Sequence, residues 1–170
     1  MAHSTVEGPD TPKAATNGTG GASRAIVVGH DGSDQAKAAL EIAIDLARSG
    51  AFGRIVIACG QERPPGWFGY TYRGPAVGQD QFWDDLETQI LSDLEEAAAT
   101  VRAAGIDAVT VCTREHPVDT LLTVARETGA GLIVVGAKGT SAVRDAVMGS
   151  TTMRLLHHAK IPVLVVPEAE

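Results

Sequence analysis

The sequence predicts an α/β fold: an open parallel sheet with helices on both faces. Three observations predict it. Short apolar runs rich in Val and Ile alternate with longer stretches that carry an apolar stripe at helical spacing. Gly or Pro stands at many of the junctions between them. Aromatic residues make up only 4 % of the chain, so the core must be built from Ala, Val, Ile and Leu. Strands alternating with helices imply right-handed crossovers and a parallel sheet. At roughly 150 residues per domain, 170 residues make one domain.

Ala25–Gly29 is a short β-branched run that reads as a buried strand. Asp34–Ser49 follows as a helix, with Ala36, Leu40, Ala43 and Ala47 on its stripe, Ser33 as N-cap and Gly50 as terminator. Arg54–Cys59 is the second strand. Gly60–Gly78 has neither helical nor strand period and reads as a long loop, a kind of segment that is often functional. Gln81–Ala104 is a long helix with Phe82, Leu86, Ile90, Leu94, Ala97 and Val101 on one stripe, ended by Gly105. Ala108–Thr113 is the third strand, and Pro117–Thr128 a helix with Pro in its first turn and Gly129 behind it. Leu132–Gly136 is a fully apolar strand. Ser150–Ala159 is a helix with Ser150 at its N-cap, and Val163–Val166 is the last strand, bracketed by Pro162 and Pro167.

Residues 1–23 are rich in Gly, Pro, Ser, Thr and Ala, with Met1 and Val6 the only larger apolar side chains. Ordering such a segment costs about 1–2 kcal/mol per residue with little burial to offset it. It is expected to be a disordered tail, leaving residues 24–170 as the domain. The chain carries 14 basic against 21 acidic residues, a net charge of −7. That argues against a nucleic-acid binder, which needs a basic face. No apolar run reaches the roughly 18 residues of a membrane span, and the N-terminus has no apolar signal core. A cytoplasmic protein is the expectation. Cys59 and Cys112 make neither a disulfide framework nor a zinc site, and are expected to be reduced and buried.

In an open α/β sheet, ligands bind outside the carboxyl ends of the strands, where strand order reverses. The segments that follow the strands are therefore the candidates for chemistry. The most informative is Gly136-Ala-Lys-Gly139, then nine residues, then Gly149-Ser150. Its first half follows a buried strand and its second opens a helix. Gly permits positive φ and close backbone approach to a ligand. The helix N-terminus offers unpaired N–H groups and about half a positive charge, and the Ser150 hydroxyl can donate to a phosphate. Together they make a phosphate cradle without a Walker lysine. Asp31 follows the first strand and reads either as a ligand-site residue or as an Asx-turn former.

These residues resemble the universal stress protein family, of the ATP-binding type. The resemblance covers Arg24–Val166. It rests on the glycine spacing, on Val28-Gly29-His30-Asp31-Gly32-Ser33, and on Ala159-Lys-Ile-Pro162-Val-Leu-Val-Val166. It implies a five-stranded sheet of order 3-2-1-4-5. It implies an ATP site in which Asp31 lies near the triphosphate and its Mg ion, with Asp31 as the metal residue. Gly136, Gly139, Gly149 and Ser150 would hold ribose and phosphates, with the Thr151 N–H contributing, while Gly60 would face adenine and Val135 line the pocket. It also implies a homodimer through Val163–Val166, an edge that needs covering, and places Cys59 beside Cys112. His30, Cys59 and Gly60 depart from residues common in the family, which bears on the shape of the pocket.

Bland readings stand beside these. Lys138 and Arg144 read as solvated or interface residues as readily as phosphate ligands. His157 and His158 suit a helix C-terminus, His116 orients a helix start, and Ser33 is a cap, not a nucleophile. Trp67, Phe68, Tyr70 and Tyr72, with Trp83, read as a loop packing on itself or as a lid. Function divides three ways: a regulatory ATP-binding dimer with no catalytic residue, a slow ATPase or self-phosphorylating protein using Asp31 or His30, or a relative that binds cyclic AMP or no nucleotide.

Overall fold

The computed structural model describes residues 24–62, 79–140 and 148–168, with residues 79–84 described by backbone alone. The elements in chain order are β1 (Arg24–Gly29), α1 (Asp34–Arg48), β2 (Phe52–Gly60), α2 (Gln79–Ala103), β3 (Asp107–Thr113), α3 (Pro117–Thr128), β4 (Leu132–Gly136), α4 (Ser150–His158) and β5 (Val163–Val166). The five strands form one parallel sheet of order β3-β2-β1-β4-β5. The expected fold and strand order are both present.

Strand alternation sorts the core into two layers. Ile26, Val28, Ile55 and Ile57 face α1 and α2, where they meet Leu40, Ile44, Leu94 and Val101. Val27, Val56, Ile133 and Val135 face the other way, against Val118, Leu121 and Val124 of α3 and Leu155 of α4. Central β1 has lost Ile26, Val27 and Val28 from solvent completely. Burying each such side chain stabilises by about 1.5–3 kcal/mol. β5, at the sheet edge, is only half-buried along its whole length.

The ladders run past the apolar runs, because pairing needs only backbone. β2 therefore starts at Phe52, not Arg54, and reaches Gly60, which pairs with Thr113. Gly60 thus belongs to the strand and not to the long loop. β1 and β3 each begin one residue earlier than expected, and α2 starts at Gln79. The Ser33 Oγ caps α1 by accepting the Ala36 N–H at 3.1 Å. Gly50, at φ 82°, ends that helix in a conformation that suits glycine. The His116 Nδ1 caps α3 by accepting the Val118 N–H at 3.2 Å. One cap differs from expectation. Gly149 is the N-cap of α4 with no side-chain cap bond, and Ser150 is the first helical residue. Among the described residues, no helix is long and apolar enough to cross a membrane.

Residues 1–23, the Trp67–Tyr72 aromatics and Arg144 lie outside the described residues, as does the side chain of Trp83.

Candidate functional site

The ends of β1, β2 and β4 and the first turns of α3 and α4 meet at the carboxyl edge of the sheet. This is where strand order reverses between β1 and β4. They enclose a cavity of about 500 Å³, within the roughly 300–1,000 Å³ of small-molecule sites. Asp31 lines it from the turn after β1, Gly60 from the end of β2, and Val135, Gly136 and Gly139 from β4 and its loop. Gly149, Ser150 and Thr151 line it from the start of α4. All eight residues expected at the site therefore share one cavity.

Side chains and backbone tie the loop after β4 to its surroundings. Asp31 Oδ1 accepts the Ser33 N–H at 3.1 Å, an Asx-turn, while Oδ2 accepts the Thr140 N–H at 2.9 Å. Asp31 is thus an Asx-turn former that also reaches across the switch point to the loop after β4. Gln35 Oε1 accepts the Lys138 N–H at 2.6 Å. Thr152 donates its hydroxyl to the Gly136 carbonyl at 2.9 Å, and the Gly149 N–H donates to Ala137 at 2.8 Å. α4 is thereby aimed with its N-terminus at the cavity, where its first N–H groups lack intrahelical partners.

Glycine is required at Gly60 and Gly136 by proximity, not by φ. Gly60, Gly136, Gly139 and Gly149 all lie outside the left-handed region, which corrects the part of the sequence argument that invoked positive φ. A Cβ on Gly136 would sit 2.8 Å from Gln35 Cβ and 3.1 Å from the Gln35 backbone. One on Gly139 would collide with the Asp31 carboxylate. One on Gly60 would meet Thr120 Oγ1 at 2.5 Å and Pro117 Cα at 2.8 Å. Only ordinary contacts would surround a Cβ on Gly149.

The opposite wall is made of side chains. His30 is 6 % exposed, and its Nδ1 has no partner among the described residues. Burial pushes its pKa below 6.5, partly offset by the nearby Asp31 and Asp93 carboxylates. Leu86, Gln89, Ile90 and Asp93 of α2 complete this wall, with Gln89 donating to Asp93 at 2.8 Å. Sequence reasoning missed them. The available signal was a polar pair four residues apart, Gln89 and Asp93, flanking the stripe of Leu86, Ile90 and Leu94. Cys59 also lines the cavity, paired in register with Cys112, and both are free thiols.

Of the remaining candidates, Lys138 lines the cavity and pairs with Glu168 at 3.4 Å. His157 and His158 lie exposed in the last turn of α4. His116 Nε2 is 3.4 Å from the Arg154 guanidinium. Among the described residues, no cluster of three or more His, Cys, Asp or Glu could hold a metal ion.

Residues 22–167 match the universal stress protein family. Universal stress protein YxiE of Bacillus subtilis is 28 % identical over 145 residues, which span 83 % of this chain and 97 % of the relative. A structure from the same family in Burkholderia pseudomallei matches with a TM-score of 0.65 at 28 % identity, covering 88 % of this chain and 100 % of its own. A universal stress protein crystallised in complex with cAMP matches with a TM-score of 0.60 at 28 % identity, covering 87 % of this chain and 99 % of its own.

Proposed function

The chain belongs to the universal stress protein family, and on that premise we propose that it is an ATP-binding regulator that responds to stress through nucleotide occupancy. The observation that carries this reading is convergence. Four separate stretches of chain bring a glycine-lined turn, a helix N-terminus and an acidic turn around one cavity of about 500 Å³. A helix N-terminus with closely approachable backbone favours phosphate oxygens. In this reading Gly136 and Gly139 let ribose and phosphates lie against backbone, and Ser150 and Thr151 donate to the phosphates. Gly60 and Val135 border adenine.

Magnesium would enter with the triphosphate and neutralise part of its charge. Asp31 would hold it through a carboxylate oxygen, as Mg²⁺ is commonly held by one or two carboxylates together with substrate phosphates. The homodimer belongs to the same reading. Half-buried β5 ends the sheet, and on neighbouring α4 Met153 and Leu156 are 47 % and 44 % exposed. Pairing β5 with a second copy would cover that edge.

A second reading is cyclic AMP as the ligand, favoured by the cAMP-bound relative. The experiment denatures the purified protein, identifies any released nucleotide by mass spectrometry, and then titrates ATP–Mg and cyclic AMP in a thermal-shift assay. Ligand at about 100 times its Kd stabilises by about 2.7 kcal/mol, which for this size is several degrees. A shift with ATP–Mg supports the first reading, and a shift with cyclic AMP alone supports the second. No shift with either removes the nucleotide claim and leaves the family and fold.

A further inference from the structure

We propose that Cys59 and Cys112 form a hydroperoxide-reactive dithiol, in which Cys112 attacks, Cys59 resolves, and the product is a disulfide joining β2 to β3 in the cavity wall.

The placement is set by the sheet. Cys59 and Cys112 are register partners on adjacent parallel strands. Such strands lie about 4.7–4.9 Å apart, inside the roughly 4.4–6.8 Å between Cα atoms that a disulfide spans. Both side chains point to the same face. Cys59 continues the alternation of Ile55 and Ile57 toward α1 and α2, and Cys112 packs against that same core. The two thiols are close enough to perturb each other's titration. No backbone rearrangement is needed to bring sulfur to sulfur.

The two sulfurs differ in a way that assigns the roles. Cys112 is half-buried at the outer end of β3, whereas Cys59 is 8 % exposed and borders the cavity. Around Cys112 stand Cys59, Glu87 of α2 and Arg114. The Cys59 thiol beside it lowers the Cys112 pKa to about 7, helped by Arg114 and opposed by burial and by Glu87. Around Cys59 stand Cys112, Asp31 and Asp93 of α2. The Cys112 thiol, burial and those carboxylates all push the Cys59 thiol up. The thiolate is the nucleophile, so the less buried of the two cysteines is also the activated one.

The reaction balances with a hydroperoxide as oxidant. The Cys112 thiolate attacks the terminal oxygen of ROOH, the O–O bond breaks, and the departing alkoxide takes a proton to become ROH. Cys112 is left as sulfenic acid. Cys59 then attacks that sulfur. Its own proton leaves with the displaced hydroxide as water, and the S–S bond forms. In sum, two thiols and one hydroperoxide give one disulfide, one alcohol and one water. With hydrogen peroxide, the alcohol is a second water.

The test treats the full chain with hydrogen peroxide near neutral pH, then alkylates and maps the peptides by mass spectrometry. The expected product is an intramolecular Cys59–Cys112 peptide pair, lighter by two hydrogens and restored by dithiothreitol. Its rate of formation rises with pH through about 7, the Cys112 value. Cys112→Ser should slow peroxide-driven loss of the remaining thiol at least about tenfold. Cys59→Ser should leave a sulfenic acid on Cys112 that dimedone traps. If a variant fails to fold, the wild-type alkylation order still decides, with Cys112 reacting before Cys59. Two free thiols in native protein after excess peroxide, a sulfenic acid found on Cys59, or exclusively intermolecular disulfides would each overturn the proposal.

Discussion

One wall of the cavity is backbone and the other is side chain. On the first, α1 approaches the end of β4 so closely that Gly136 has no room for a Cβ, and Asp31 and Gln35 hold the loop after β4 by accepting its main-chain N–H groups. On the second, His30, Cys59, Gln89 and Asp93 meet because α2 packs on the sheet. The first wall fixes a shape that any phosphate-bearing ligand can use. The second carries the titratable and reactive groups, and is where a member of a common fold acquires properties of its own. Substitutions should therefore fail differently on the two walls.

The largest effect is expected at Gly136. In Gly136→Val, the new Cβ must push Gln35 and its backbone aside from 2.8 and 3.1 Å. Overpacking of that kind costs about 1–3 kcal/mol, or several degrees of Tm at this size. Nucleotide affinity should fall with it, because the displaced turn is the cradle. Native melting with native affinity would show that this wall is not rigid.

Asp31→Ala comes next. It removes the acceptor for both the Ser33 and the Thr140 N–H groups. Asp31 is exposed, so water replaces part of the loss, and about 1 kcal/mol is expected from urea denaturation. Affinity should drop more steeply, by about tenfold, because the two turns are no longer held to each other. Equal losses in stability and binding would mean that Asp31 acts only as a fold element.

The contrast also explains what could be read in advance. The backbone wall was legible because its demands are local. A glycine at fixed spacing after a strand, and a small polar residue opening a helix, are visible in one stretch of chain. Of the two reasons for glycine there, positive φ does not apply, and at Gly136 the close approach is to Gln35 of α1. The side-chain wall was mostly illegible. Gln89 and Asp93 sit on a helix whose rotation about its axis is fixed only by packing on the sheet. The neighbourhood of Cys59 and Cys112 became an expectation through the resemblance, because strand order is not written in any local pattern. The strand ends were missed for a related reason: Phe52 and Gly60 pair through backbone, which has no sequence signature.

His30 tests the second wall through pH. Burial holds its folded pKa below 6.5. As pH falls through 6.5, the unfolded chain takes up a proton that the folded chain does not. Stability that is present above 6.5 is then lost toward the folded pKa, with a slope of at most about 1.4 kcal/mol per pH unit. Urea denaturation from about pH 7.5 to about pH 5.5 should show wild type losing more stability than His30→Asn. Parallel curves would mean that His30 takes its proton equally well in both states. The Asp31 and Asp93 carboxylates work against the burial effect, so the difference should be small but of fixed sign.

Ser150→Ala should have the smallest effect on folding and is the sharpest separation of folding from binding. Gly149 occupies the N-cap of α4, and the cap has no side-chain bond. Ser150 is exposed at the first helical position, where its hydroxyl satisfies no cap. Alanine there favours the helix slightly, so stability should change by less than about 0.5 kcal/mol. If Ser150 serves the nucleotide phosphates, the same change removes a donor that is needed only when ligand is present. Calorimetric titration should then show ATP–Mg affinity reduced by about tenfold or more, the loss of one hydrogen bond to a charged group being worth about 1.5–3 kcal/mol. Were stability to fall by the amount typical of a lost cap, near 1 kcal/mol, the hydroxyl would be holding the helix start instead. Were neither stability nor affinity to move, phosphate recognition at this helix start would rest on the α4 backbone and not on the Ser150 hydroxyl.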